Sequence, residues 1–503
     1  MLRRTALAAT ALFAASALVL AGCTASTGPG PTGATGEPDA DASVAIRLVL
    51  EPGNLDIRQT TGAALDQVLI DNVYQGLVSR TTDQEIVPAL ASDWEVSDDG
   101  LTYTFTLEEG VTFHDGQELT PQDVVWSLQT RKDTPEWADS ARLANVSSIT
   151  ADGQTVTLTL AQPDSSLLWN LTGRAGIILK EGDTVDYQTA ANGTGPFVLE
   201  EWQQGASITL TRNDAYWGDA AGVGEVVFQY IAEDQAAVNA AAAGEVDVLT
   251  GFDPNLTEQI EQSGDWTVVL GTATDKSVLA MNSTAAPLDD QRVRQAIRQA
   301  IDHDAIVEAV GAGQTLYGPI PEPDPGYEDL SDTAPYDPEA ARALLEEAGV
   351  EDLELTLTIP ADYGTTIPQI LVSDFNEVGI TLEVDAVDFG VWVNDVYTNK
   401  DYELSYVNHA EARDFENWAN PDYYFTYDNP EVQDLYEQSL RATDEAEADA
   451  LLAEAARIVA EDAAADWLFN WAGVSAVAAG INGMPVDSVN ARLNLAELTK
   501  SDG

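Results

Sequence analysis

Residues 88–128 read PALASDWEVSDDGLTYTFTLEEGVTFHDGQELTPQDVVWSL, and this stretch decides the fold class. Its centre, YTFTL at 103–107, alternates apolar residues with threonines, the period-two pattern of a half-buried strand. Asp99-Gly100 before it and Asp115-Gly116 after it are turn dipeptides. FHDG at 113–116 fits a hairpin turn oriented by His114. Further on, TVTLTL at 155–160 repeats the alternation, so this part of the chain is expected to be rich in β-structure.

Outward from there the pattern changes. Towards the N-terminus, residues 46–50 predict a short strand broken by Glu51-Pro52-Gly53-Asn54. Leu65, Leu69, Val73 and Leu77 recur at helical spacing and predict a helix over 65–77. Towards the C-terminus, strand 226–231 leads into helix 234–243, capped by Asp234 and ended by Gly244, then strand 246–249. A second series follows Met281. Asp290 caps a helix whose apolar face holds Val293, Ala296, Ile297, Ala300 and Ile301, with Arg292, Arg294 and Arg298 on its solvated side. Asp337-Pro338 opens a helix closed by Gly349, followed by strand 353–359, helix 368–378 and strand 380–384. Helices 430–440 and 445–460 complete the unit. Helices interleaved with strands imply α/β layers, and no internal repeat is visible.

The N-terminus is of another kind. Arg3 and Arg4 precede an uncharged apolar run to Leu20, the layout of a secretory signal. Leu20-Ala21-Gly22-Cys23 resembles the bacterial lipobox, which implies an acylated Cys23 as first mature residue. Residues 24–43, rich in Gly, Pro, Thr and Ala, read as a flexible tether with a reach of about 25 Å. Cys23 is the single cysteine, so disulfides, thiolate metal sites and thiol nucleophiles are excluded. With 22 Lys+Arg against 85 Asp+Glu the net charge is −63, which excludes nucleic acid and anionic lipid headgroups as partners. The motifs G-x-S-x-G, S-x-x-K, H-E-x-x-H and the P-loop are absent, and no enzyme activity is expected.

The 88–128 stretch resembles the signature region of the extracytoplasmic solute-binding proteins of ABC transporters, family 5, which includes oligopeptide- and dipeptide-binding lipoproteins. Six further stretches match in collinear order: NVYQGLV (72–78), GTGPF (193–197), TRNDAYWG (211–218), AAAGEVDVL (241–249), MNSTAAPLDDQRVRQAIRQAID (281–302) and PYDPEAARALLEEAG (335–349). The resemblance implies a two-lobed, type II periplasmic-binding-protein-like α/β fold, with two crossovers and a β-rich subdomain inserted in the first lobe. The expected boundaries are signal 1–22, anchor and linker 23–43, lobe I at 44–79 and 192–279, inserted subdomain 80–191, lobe II 280–475, and a return to lobe I over 476–503.

It also implies a ligand enclosed between lobes, with a buried acid receiving a peptide's ammonium group. Here that acid is expected after residues 401–407, where Asp414 is the candidate and Glu411 its rival. The family's tryptophan is missing there and Asp414 comes about two residues late. Arg413 is a candidate for a ligand carboxylate. Asn54 and Asp56, after the first strand, and Arg174 in TGRAG are further cleft candidates, while Trp392, Tyr406, Asn408, His409 and Trp418 would supply aromatic walls and hydrogen bonds. The expected partners are a peptide or other small solute, an ABC permease with its ATPase subunits, and the membrane through the lipid anchor. The chain is expected to be a monomer with no cofactor. A sugar or a nickel or metal chelate is the alternative solute, although His114, His303 and His409 are too scattered for a histidine cluster. A sensor or adhesion lipoprotein and an extracellular hydrolase are the other classes.

Overall fold

The computed structural model describes residues 37–350, 353–487 and 492–501. The expected signal sequence, Cys23 and most of the tether lie outside the described residues.

The quoted stretch builds a four-stranded antiparallel sheet, in the order Ala91–Val96, Thr102–Leu107, Thr155–Leu160, Val146–Asp152. Tyr103, Phe105 and Leu107 point to one face with Val156, Leu158 and Leu160, and all six are buried in one core. Helix Pro121–Asp133 covers that face through Val124 and Leu128. It starts with a capping box, Thr120 accepting from the Asp123 amide while the Asp123 carboxylate accepts from the Thr120 amide, and Pro121 fills the first turn. FHDG turns with Gly116 at φ 81°. The His114 ring donates from Nε2 to the Gly195 carbonyl at 3.1 Å and accepts from the Gly193 amide at Nδ1, which fixes its tautomer and ties the turn to GTGPF.

A seven-stranded mixed sheet forms the first lobe. Its strand Ser43–Leu48 lies between two parallel neighbours, Glu225–Tyr230 and Val248–Thr250, joined by helix Asp234–Ala242 in a βαβ unit. Such a strand is covered on both faces, and Val44, Ile46 and Leu48 are 0–1 % exposed. Asp234 does not cap the helix as expected; its carboxylate accepts from the buried Arg47 at 2.7 Å. The helix expected over 65–77 ends early, as Ala63–Leu69. Asp71 takes a positive φ of 64°, and its amide bonds the Tyr74 carbonyl at 2.8 Å, so Val73 and Leu77 reach the core from a turn.

The second lobe is a five-stranded sheet in the order Ile380–Val387, Leu353–Pro360, Leu404–His409, Lys276–Met281, Ala465–Asn470. Asp290 and Asp337 cap their helices as expected, and Gly349 closes the second with φ 73°. The solvated reading of the arginines holds for Arg292 alone. Arg294 and Arg298 are 8 % and 1 % exposed, because backbone carbonyls accept from their guanidinium groups, those of Leu288 and distant Ala463 for Arg294 and that of Tyr317 for Arg298. The chain passes between lobes twice, at 271–275 and 471–473. The C-terminal segment then returns to the first lobe, where Arg492 pairs with Asp71 and Lys500 with Asp247. Residues at the end of the expected tether meet it: Pro38 bridges Ser501, and the Asp39 amide bonds the Lys500 carbonyl at 2.8 Å.

Candidate functional site

Between the two sheets lies a cavity of about 730 Å³, within the usual range for small-molecule sites. Helix Ala63–Leu69 supplies Asp66 and Gln67, and helix Leu167–Thr172 with the turn after it supplies Trp169 and Arg174. The loop following strand Leu404–His409 brings residues 410–413 from the second lobe. The crossovers contribute Asp275 and Trp471, and the C-terminal return contributes Arg492.

The lobes touch beside this cavity. Arg142 bonds Glu416 at 2.9 Å, and Ser165 donates from its amide to the Leu440 carbonyl and from its hydroxyl to the Ser439 carbonyl. Trp169 of the first lobe meets two guanidinium groups, Arg80 at 4.2 Å from its ring centre and Arg413 of the second lobe at 3.7 Å. Cation–π contacts of this kind contribute about 0.5–2 kcal/mol each, more where water is excluded. The Arg413 backbone has φ 54°, and its amide donates to Asp324 at 2.7 Å. Burial raises the Asp324 carboxyl to about 6, against the pull of Lys276.

Three of the expected site residues line the cavity: Arg174, Glu411 and Arg413. Arg174 is held by two acids, Asp66 at 2.6 and 3.0 Å and Asp139 at 3.1 Å. The other eight are placed elsewhere. Asp414 is 5 % exposed and bonded to the Lys276 ammonium at 2.9 Å. Lys276 also donates to the carbonyls of Thr274 and Glu411, so three acceptors surround it. The acid expected to receive a ligand's amine has the chain's own amine. Trp392, Tyr406 and Trp418 are core residues: Trp392 donates to Ser405, Tyr406 meets Tyr363 edge-on, and Trp418 stacks on Phe425 with ring centres 4.0 Å apart. His409 bonds the Tyr424 hydroxyl at 2.8 Å, and burial lowers its pKa to about 4, so it is neutral at pH 7. Asn408 reaches Asp275. Asn54 caps the Asp56 amide in a turn, and Asp56 forks onto Arg58.

Sequence reasoning missed Trp169, Arg80, Arg142, Arg492 and Asp66. LLWNLT at 167–172 reads as an ordinary apolar helix, and nothing local marks its tryptophan as an interlobe contact. Among the described residues no group of three or more His, Cys, Asp or Glu side chains is placed to hold a metal ion, and no helix is long and apolar enough to cross a membrane.

Residues 85–430 match the family described as bacterial extracellular solute-binding proteins, family 5 middle. Protein XP55 of Streptomyces lividans is 33 % identical over 363 residues, spanning 69 % of this chain and 63 % of its own length. The dipeptide-binding protein of Escherichia coli K12 is 28 % identical over 372 residues, 66 % of this chain and 69 % of that protein. In three dimensions, the periplasmic binding protein DppA of Helicobacter pylori, solved with the peptide STSA, superposes with a TM-score of 0.77 at 24 % identity, over 92 % of this chain and 99 % of that one.

Proposed function

The chain belongs to family 5 of the bacterial extracellular solute-binding proteins, and on that premise we propose that it captures a peptide between its lobes and delivers it to an ABC permease. The cavity bounded by both lobes and both crossovers is the observation that carries this reading. A ligand that touches both lobes favours the arrangement in which Trp169 meets Arg413 and Arg142 meets Glu416, and a permease can read that arrangement. The family is one of receptors, and no bond of the ligand needs to be made or broken. Acylated Cys23 would hold the receptor at the membrane, with the residues after it as a leash. The dipeptide-binding relative and the peptide-bound structural neighbour favour a peptide over a sugar or chelate. Trp392, Tyr406 and Trp418, the aromatic residues expected to wall the site, lie in the core, while Trp169, Tyr436 and Trp471 line the cavity in their place.

Native mass spectrometry of the mature protein with Cys23→Ser, purified gently from its own host, tests the solute. A spread of peptide masses is expected; a single mass of a saccharide or chelate would replace the peptide reading and keep the receptor. In the same host, Cys23→Ser should shift the protein from the membrane fraction to the medium, and retention would remove the anchor. If permease genes lie beside this one, loss of import on their deletion would establish delivery; unchanged import would point to a sensor.

A further inference from the structure

Where the sheet of the first lobe meets the cavity, its edge is apolar. Strands Ser43–Leu48 and Val248–Thr250 run parallel and both end there, at the edge where α/β sheets hold their ligands. Val49 and Leu50 follow the first of these strands and are 39 % and 62 % exposed. Among the described residues they are the two exposed large hydrophobics that line the cavity, and Leu50 is the most exposed of its kind. Single apolar residues scattered on a surface need no explanation, but an adjacent pair facing a cavity is a place for apolar ligand surface.

Glycine shapes the floor beside them. Gly251 takes a φ of 58°, a Cβ added to it would stand 3.7 Å from Val49 Cγ2, and its amide donates to the Val474 carbonyl at 2.9 Å. A Cβ on Gly473, the next residue back, would meet nothing within 4 Å, so room is left above the backbone. Trp471 stands two residues before Gly473 on the crossover and is half-buried. Its ring packs on Phe469 of the second-lobe core with centres 6.2 Å apart, and its amide donates to the Asp275 carbonyl at 2.9 Å. Val49, Gly251, Gly473 and Trp471 thus succeed one another along one wall of the cavity.

Elsewhere around the cavity the chain pairs its own charges. Arg174 holds Asp66 and Asp139, Arg142 holds Glu416, Arg492 holds Asp71, and Asn408 holds Asp275. A solute's charge gains little from groups already paired. An apolar side chain laid on Val49 and Leu50 removes surface from water on both partners.

Resting on the peptide reading, we propose that this wall is a subsite for one leucine-sized apolar side chain of the bound peptide, with Val49 and Leu50 on the first-lobe side and Trp471 on the side anchored in the second lobe. A side chain seated there touches both lobes, so the contact that selects the peptide also favours the arrangement in which Trp169 meets Arg413.

Isothermal titration of the mature Cys23→Ser protein with trialanine, Leu-Ala-Ala, Ala-Leu-Ala and Ala-Ala-Leu tests this. At least one leucine peptide is expected to bind about ten-fold more tightly than trialanine, with a more negative heat-capacity change. Leu50→Ser should cut that advantage to about two-fold or less, and Leu50→Met should keep it. Because Leu50 is exposed, the thermal melt of both variants should match that of the parent. Four equal affinities, or an advantage that survives Leu50→Ser combined with Val49→Ser, would overturn the subsite and leave the peptide reading standing. If none of the four binds, the subsite is overturned, and the co-purified masses decide the peptide reading.

Discussion

Asp466 stands at the centre of one buried charge cluster and Arg80 in the middle of another, and the two differ in the balance of charge around the central group. Asp466, Arg298 and His303 are all at most 2 % exposed. Each Asp466 oxygen has a partner, His303 at 2.8 Å and Arg298 at 3.3 Å, and the remaining Arg298 nitrogens reach the carbonyls of Ala460 and Tyr317. Burial pushes the Asp466 carboxyl up, yet His303 and Arg298 together hold it below the ordinary carboxylate range. Around Arg80, by contrast, burial lowers the pKa to about 9, the charges of Arg492 and Arg413 push the same way, and Asp71 and Asp324 push against them. The first cluster balances its central charge with two partners, although Nδ1 of His303 has no hydrogen-bond partner among the described residues; the second sets like charges side by side.

The sharpest way to break this contrast is Asp466→Ala, which strands Arg298 in the core. Removing one partner of a buried pair costs about 3–5 kcal/mol, and urea unfolding should show a loss of that size. A loss below about 1 kcal/mol would mean that Asp466 does not hold the second lobe's core together.

Next comes Asp324, the acid behind the cavity arginines, which faces Lys276, Arg413 and Asp414. Its carboxyl binds a proton more tightly in the folded chain, at about 6, than its ordinary value of 3.8. The stability this contributes is fully present below pH ~4 and is lost as the pH rises through about 6, roughly 3 kcal/mol in all. Asp324→Asn should flatten that slope in urea midpoints measured from pH 4 to 7, and an unchanged slope would assign the proton elsewhere.

Arg413→Gln sharpens the contrast from the cavity side. Relief of repulsion offsets the lost stack on Trp169, so stability should stay within about 1 kcal/mol while binding suffers. A loss as large as that of Asp466→Ala would make Arg413 a structural residue. At the bottom of the scale is the exposed pair Arg441–Glu437, one helical turn apart. Glu437→Gln should change the unfolding midpoint by less than about 0.5 kcal/mol.

The architecture was legible where the pattern is local. Alternation in 103–107 and 155–160 gave two strands of the inserted sheet, and Asp290 and Asp337 marked their helix starts, because these depend on neighbours a few residues away. The misreadings share a cause. The burial of Arg298 depends on Asp466, 168 residues on, and the helix after residue 63 ends beside an Asp71 that Arg492 engages from the far end of the chain. The site was legible only in part for the same reason. Arg174, Glu411 and Arg413 were reached through the resemblance, whereas Asp414 looked available because its partner Lys276 sits in a different strand, with nothing in KSVLAM to announce it.

The two crossovers carry one more consequence. Strand Trp266–Leu270 leaves for the second lobe, and strand Val474–Ala478 comes back, as antiparallel neighbours with Leu270 opposite Val474. The gap left by removing 271–473 is therefore the gap of a β-hairpin. A two-residue Asn-Gly turn would span it. The second lobe is in this sense a single insertion between two neighbouring strands of the first.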